Sequence, residues 1–267
     1  MRSLATFLLL LLSAGAAQAV DPRFFAAIDR NDAAQLASLL ESQKPAGPAA
    51  ARVLNYAALA GDDKGVQTIL AHGIPATGAA VQAAGDGTDP RSGFGGHLVT
   101  ACYLRSAMQD PSMVDLEIRK LKIVEGPAGP AFKEMFKPPM PRLDASREMR
   151  DVILKDAMKD LIQFSNHEAL EKLLMAGDVF IPAIIVGLEA AARYGEDQCL
   201  RLLLDYCRTH KEIRVNWDRL VGLASDPDPE EAGSGGHPLL GLYIRAVRKS
   251  HGTLARKPIQ DLVFQGR

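Results

Sequence analysis

Apolar side chains recur at helical spacing in two short runs near the start of the chain. Leu36, Leu39 and Leu40 make the first, and Val66, Ile69 and Leu70 the second; each places three apolar groups on one helix face. A segment of small residues precedes each run (Ala26-Ala27 and Ala57-Ala58), followed by a turn at Asn31-Asp32 or Gly61-Asp62. Such turn residues tolerate left-handed backbone or cap the helix that follows. The succession returns later, with Leu170, Leu173 and Leu174 after Ser165-Asn166, and Leu200, Leu203 and Leu204 after Ala190-Ala191-Ala192 and Gly195-Glu196. The pattern predicts four helix-turn-helix segments, with Gly73 and Gly177 standing where a left-handed residue closes a helix.

The segments form two matched pairs. Phe24–Gln43 lies opposite Met158–Gly177, and Leu54–Gly73 opposite Leu188–Cys207, all a constant 134 positions apart, as 61 is from 195. A third match follows at an offset of 140: Gly95-Gly96-His97 with Tyr103-Leu104-Arg105 reappears as Gly235-Gly236-His237 with Tyr243-Ile244-Arg245. An Asp-Pro pair precedes both (Asp89-Pro90 and Asp226-Pro227), and the change of offset falls in loops that absorb it at little entropic cost. Three matches in one order predict an all-α helical-repeat solenoid with two homologous halves of about three helix pairs each. One pair alone buries too little apolar area to offset the entropy of ordering it, so neighbours must stack.

At Ala57–Gly73 and Ala191–Leu204 the chain resembles the ankyrin repeat family, whose units run Ala-Ala-x-x-Gly, then a Val/Leu-rich second helix closed by Gly. His237-Pro238-Leu239-Leu240 is similar to that family's Thr-Pro-Leu-His opening, and His97-Leu98-Val99-Thr100 follows it less closely. The spacing within each half is 30 rather than the family's ~33 residues, and the four clearer segments lack the tetrapeptide. The resemblance therefore implies an ankyrin-like solenoid whose β-hairpin between pairs is shortened or missing. It also implies protein–protein binding through the concave face of the stack and its protruding loops.

Composition changes this picture little. Lys and Arg total 31 against 32 Asp and Glu, so no basic excess draws the chain to nucleic acid. The N-terminus adds more. Arg2, the apolar run Leu4–Leu12 and Ala17-Gln18-Ala19 form a signal-peptidase pattern with the cut before Val20. The apolar run is far short of the ~20 residues of a membrane span. Residues 1–19 are thus expected to be a signal peptide, 20–125 the first ankyrin-like unit, 126–148 a Pro-rich linker and 149–267 the second unit. Export is to the periplasm in a Gram-negative source and otherwise out of the cell. Cys102, Cys199 and Cys207 all lie in apolar helical surroundings, where a free thiol behaves as a small hydrophobe.

Candidate chemistry gathers where the repeats are interrupted. Loops rich in Gly, Pro and acid carry Asp86 and Asp89 in one half, and Asp226 and Asp228 in the other. In the second half, residues 215–225 read as a short helix capped by Asn216. Five prolines between Gly126 and Pro141 exclude a helix, while Phe132 and Phe136 are apolar for a linker. That stretch either packs along the junction of the halves or docks on a partner. His97 and His237 either bond to a neighbouring turn or bind a ligand. The acidic loops lack EF-hand spacing, and His167-Glu168-Ala169-Leu170-Glu171 lacks the second histidine of a zinc-protease helix. No metal, cofactor or catalytic residue is therefore expected. The partner is another protein, contacted through Asp86, Asp89, His97, Phe132, Phe136, Asp226, Asp228 and His237. Two alternatives stay open: a small-ligand-binding protein or enzyme with a site in a cleft between the halves, and a module that protects another exported protein.

Overall fold

A computed structural model describes residues 20–86, 96–132, 147–177, 179–226 and 235–266. Residues 1–19, together with Asp89, Phe136 and Asp228, lie outside that set. The described chain is mostly helical, as expected of an all-α protein. Six helices come first: α1 Pro22–Asp29, α2 Ala33–Gln43, α3 Gly47–Leu59, α4 Asp63–Ala71, α5 Gly78–Gly85 and α6 Leu98–Gln109. Two 3-10 turns (Pro111–Asp115 and Ile118–Lys120) lead into strand β1, Leu121–Glu125. The order then repeats: α7 Arg147–Gln163, α8 His167–Met175, α9 Ile181–Tyr194, α10 Asp197–Thr209, α11 Trp217–Ser225 and α12 Pro238–Lys249. Two further 3-10 turns, Thr253–Arg256 and Ile259–Asp261, precede strand β2, Leu262–Gly266.

Local chemistry places the helix ends where the pattern puts them. Asn31, Gly61, Ser165 and Gly195 all take positive φ, between 50° and 71°. The next residue begins a new helix: the side chains of Asp32, Asp62 and Asn166 accept from the backbone N–H groups of Gln35, Gly65 and Ala169. Thr77 and Asn216 cap α5 and α11 in the same way. The apolar triplets of α2, α4, α8 and α10 are all buried, and Ala57, Ala58, Ala191 and Ala192 lose all exposure, so neighbouring backbones come close. The three cysteines are free and buried. Leu203 is fully covered and Leu70 nearly so. Leu70→Ala and Leu203→Ala are each expected to cost about 2–5 kcal/mol in urea denaturation; losses below ~1 kcal/mol at both would contradict a shared apolar seam.

The strands are a departure from the helical reading. β1 and β2 pair antiparallel, Leu121 opposite Gly266 and Glu125 opposite Leu262, so the two chain segments that follow α6 and α12 form one ribbon. Among the described residues no hairpin projects between helix pairs. The last segment of the chain lies against α6. Arg105 donates to the carbonyls of Gln260 and Leu262 at 2.8 and 2.7 Å, and the Phe264 amide donates to Ser106 Oγ. Tyr103 meets the Phe264 ring edge to face, with centroids 5.9 Å apart. The amides of Gly126 and Gly129 donate to the carbonyls of Asp261 and Gln260, which ties the start of the Pro-rich segment to the same place.

Candidate functional site

Buried polar side chains converge where the N-termini of α6 and α12 meet the N-termini of α4 and α10. A helix start leaves backbone N–H groups unsatisfied and carries a partial positive charge. His97 and His237, the N-cap residues of α6 and α12, do not cap with their own side chains. Carboxylates from elsewhere do so. Asp197, at the start of α10, accepts from the Val99 amide of α6 at 2.5 Å, and Asp63, at the start of α4, accepts from the Leu239 amide of α12 at 2.8 Å. The exchange is reciprocal: each acid serves a helix 98 or 176 positions away in sequence. Thr100 Oγ1 donates to the second Asp63 oxygen at 2.6 Å.

Between these helix ends the rings of His97 and His237 stack, centroids 5.4 Å apart and planes 21° from parallel. Their backbone amides are anchored alike, His97 to the Ala84 carbonyl and His237 to the Ala224 carbonyl. His237 Nδ1 lies 3.0 Å from the Gly61 carbonyl. A carbonyl only accepts, so this nitrogen carries the proton. The rings also lie flat on the turns. A Cβ at Gly61 would stand 2.6 Å from the His97 ring, and one at Gly195 2.8 Å from His237 Nε2.

Four carboxyls at the starts of α4 and α10 have almost no solvent contact: Asp62, Asp63 and Asp197 at 1–3% exposure, and Glu196 at 8%. Burial disfavours their charged forms. It pushes Asp63 up to about 7, against the pull of the Thr100 hydroxyl and the Leu239 amide. Asp62 rises to about 6, held back by the Gly65 amide and by Lys64. Glu196 rises to about 8, opposed by its bond from Ser165 Oγ. Asp197 is raised well above the usual carboxylate range, first by burial and further by the nearby Asp63 and Glu196. The hydrogen-bond donors to these carboxyls are the Thr100 and Ser165 hydroxyls and the Gly65, Val99 and Leu239 amides.

The candidate residues read from the sequence divide three ways. His97 and His237 are brought together, but in the interior at 4% and 6% exposure, so their rings are covered by this chain and are not presented to a partner. The bond to a neighbouring turn is found for His237, with the turn supplied by the other end of the chain. Asp86 and Asp226 end α5 and α11 as their C-caps, the first half-buried and the second exposed, at the points where the two loops leave the helices. Phe132 packs against the core over Gly85, where any Cβ would run into the phenyl ring. Asp89, Phe136 and Asp228 lie outside the described residues.

Asp63, Asp197 and Thr100 were not among the candidates. The available signal was a second acid directly behind the turn in both copies, Gly-Asp-Asp at 61–63 and Gly-Glu-Asp at 195–197. Away from the junction, a groove of about 790 Å³ runs between the end of α6 and β2, lined by Ser106, Gln109, Asp110, Glu125 and Gln265 among others. Among the described residues no group of three or more His, Cys, Asp or Glu side chains is placed to hold a metal, and no helix is long and apolar enough to cross a membrane. No protein-family model matches the chain, and neither a curated protein nor a solved structure matches it.

Proposed function

We propose that the chain is an exported, ankyrin-like helical-repeat protein, two copies of a six-helix unit, that binds another protein and performs no catalysis. The observation that carries this reading is where the chemistry lies. The histidines and acids that would serve a reaction are consumed at the junction, under cover of the chain itself, in holding helix starts together. What remains outside is recognition surface. Met175 is 77% exposed at the end of α8, and Ile181 and Ile185, four residues apart, share one exposed side of α9. Exposed apolar groups that fall on one helix face, as Ile181 and Ile185 do, are candidates for a contact surface. Asp86 and Asp226 add acidic loop bases in equivalent positions.

Capture from the native compartment tests the proposal. Tagged full-length protein is expected to retain one partner in stoichiometric amount, and Met175→Glu combined with Ile185→Glu to lose it while keeping the wild-type melting temperature. Retention of many weak partners at random ratios, or of none, counts against a dedicated scaffold. The groove beside β2 favours the second reading, a small-ligand site between the halves, because residues from both lengths of chain line it. A rise in melting temperature with a small polar metabolite, abolished by Gln109→Trp, would move the assignment there.

A further inference from the structure

The junction has more carboxyls than it needs for capping, and all four are buried. Asp63 and Asp197 each close the helix supplied by the other length of chain, and the negative charge of Asp63 acts on Asp197. Asp62 stands beside Asp63, and Glu196 beside Asp197. The other titratable groups facing them are Tyr103 on α6, which feels Asp63, and Tyr243 on α12, which feels Asp197. Cys102 on α6 also feels Asp197, and the exposed Lys64 acts only on Asp62. The interior bases are the imidazoles of His97 and His237. They stack on each other, so two positive charges there would repel at 5.4 Å.

We propose that this junction is a proton-operated latch: with Asp63 and Asp197 protonated the two halves close on each other, and their ionisation as pH rises loosens the contact. The sign follows from burial. A carboxyl that holds its proton more tightly in the folded chain than in the unfolded one stabilises the fold below its unfolded pKa, near 3.8, and loses that stabilisation as pH climbs through the folded value. The loss therefore begins at about pH 4 and runs through about 6 for Asp62, about 7 for Asp63 and about 8 for Glu196, with Asp197 raised in the same direction. The bonds from the Val99 and Leu239 amides span the contact, so charge repulsion between Asp63, Asp197 and their neighbours that pushes the halves apart also draws the acceptors away from these two amides. The response is local to the contact, because the apolar triplets of α2, α4, α8 and α10 carry no titratable side chain.

Hydrogen exchange of the intact chain tests this. Protection factors of the Val99 and Leu239 amides are expected to fall at least about tenfold between about pH 5.5 and about pH 8.5, the equivalent of one pKa unit, while those of Leu70 and Leu204 hold. Asp63→Asn with Asp197→Asn keeps an oxygen acceptor at each site. The side-chain amide that replaces the Asp63 carboxyl would reverse its second bond by donating to the Thr100 hydroxyl. The double variant is expected to keep the low-pH protection at both pH values. Equal protection of Val99 and Leu239 at both pH values in the wild type overturns the proposal, as does an unchanged pH profile in the variant. An equal loss at Leu70 and Leu204 also overturns it, since the response would then be global unfolding. If the double variant does not fold, the wild-type profile alone decides.

Discussion

Gly61→Val and Gly195→Val are each expected to destabilise the protein by more than about 3 kcal/mol, the sum of left-handed strain and overpacking. Both glycines sit at positive φ, 65° and 71°, where a β-branched residue is strained whatever its surroundings. Here the surroundings are also full. A Cβ at either site would press within 3 Å of an imidazole ring, and neither ring has room to retreat because the other histidine lies behind it. Gly73→Val is the control. Its φ is 82° but nothing lies within 4 Å of its would-be Cβ, so it pays only the strain, about 1–2 kcal/mol. Urea denaturation of the three variants separates the terms. Equal losses at all three would mean that the histidines do not lie on the turns.

Tyr243→Ala is expected to cost about 3–5 kcal/mol, the range for emptying a large aromatic site in a packed core. The side chain is fully covered on α12, among the largest in the interior. Tyr243→Phe should behave differently. The hydroxyl oxygen is buried and makes no hydrogen bond among the described residues. Removing a buried polar group that lacks a partner relieves its desolvation cost, so the phenylalanine variant is expected to match or exceed wild-type stability. Calorimetry or urea midpoints of the two variants check this; a loss above ~1 kcal/mol in Tyr243→Phe would reveal a bond to the hydroxyl.

Turns were legible in the sequence because their chemistry is local. Asn31, Gly61, Ser165 and Gly195 each announce a left-handed residue, and the Asp, Asn or Glu after it announces a helix start within three positions. The helix over 217–225 was legible for the same reason, with Asn216 as its cap. The ribbon was not. Leu121–Glu125 and Leu262–Gly266 are five-residue runs whose partner stands some 140 positions away, and nothing in either run names the other. The capping acids were hidden differently. An acid in the first turn of a helix is ordinarily a solvated group favoured by the helix dipole, so Asp63 and Asp197 read as surface residues until the fold carried α12 and α6 onto them. His97 and His237 were singled out by their repeated Gly-Gly-His setting, and a bond to a turn was among the readings. That the turn would come from the opposite length of chain was beyond any local pattern.

The contact between His97 and His237 is one of the places where the two lengths of chain meet, and a double-mutant cycle measures it without reference to any partner. His97→Ala, His237→Ala and the double variant are compared by urea denaturation. Residues 140 positions apart in sequence but stacked at 5.4 Å are expected to show a coupling of about 0.5–1.5 kcal/mol. Additivity within ~0.3 kcal/mol, the behaviour of distant and independent sites, would mean that the halves do not close on each other through these rings.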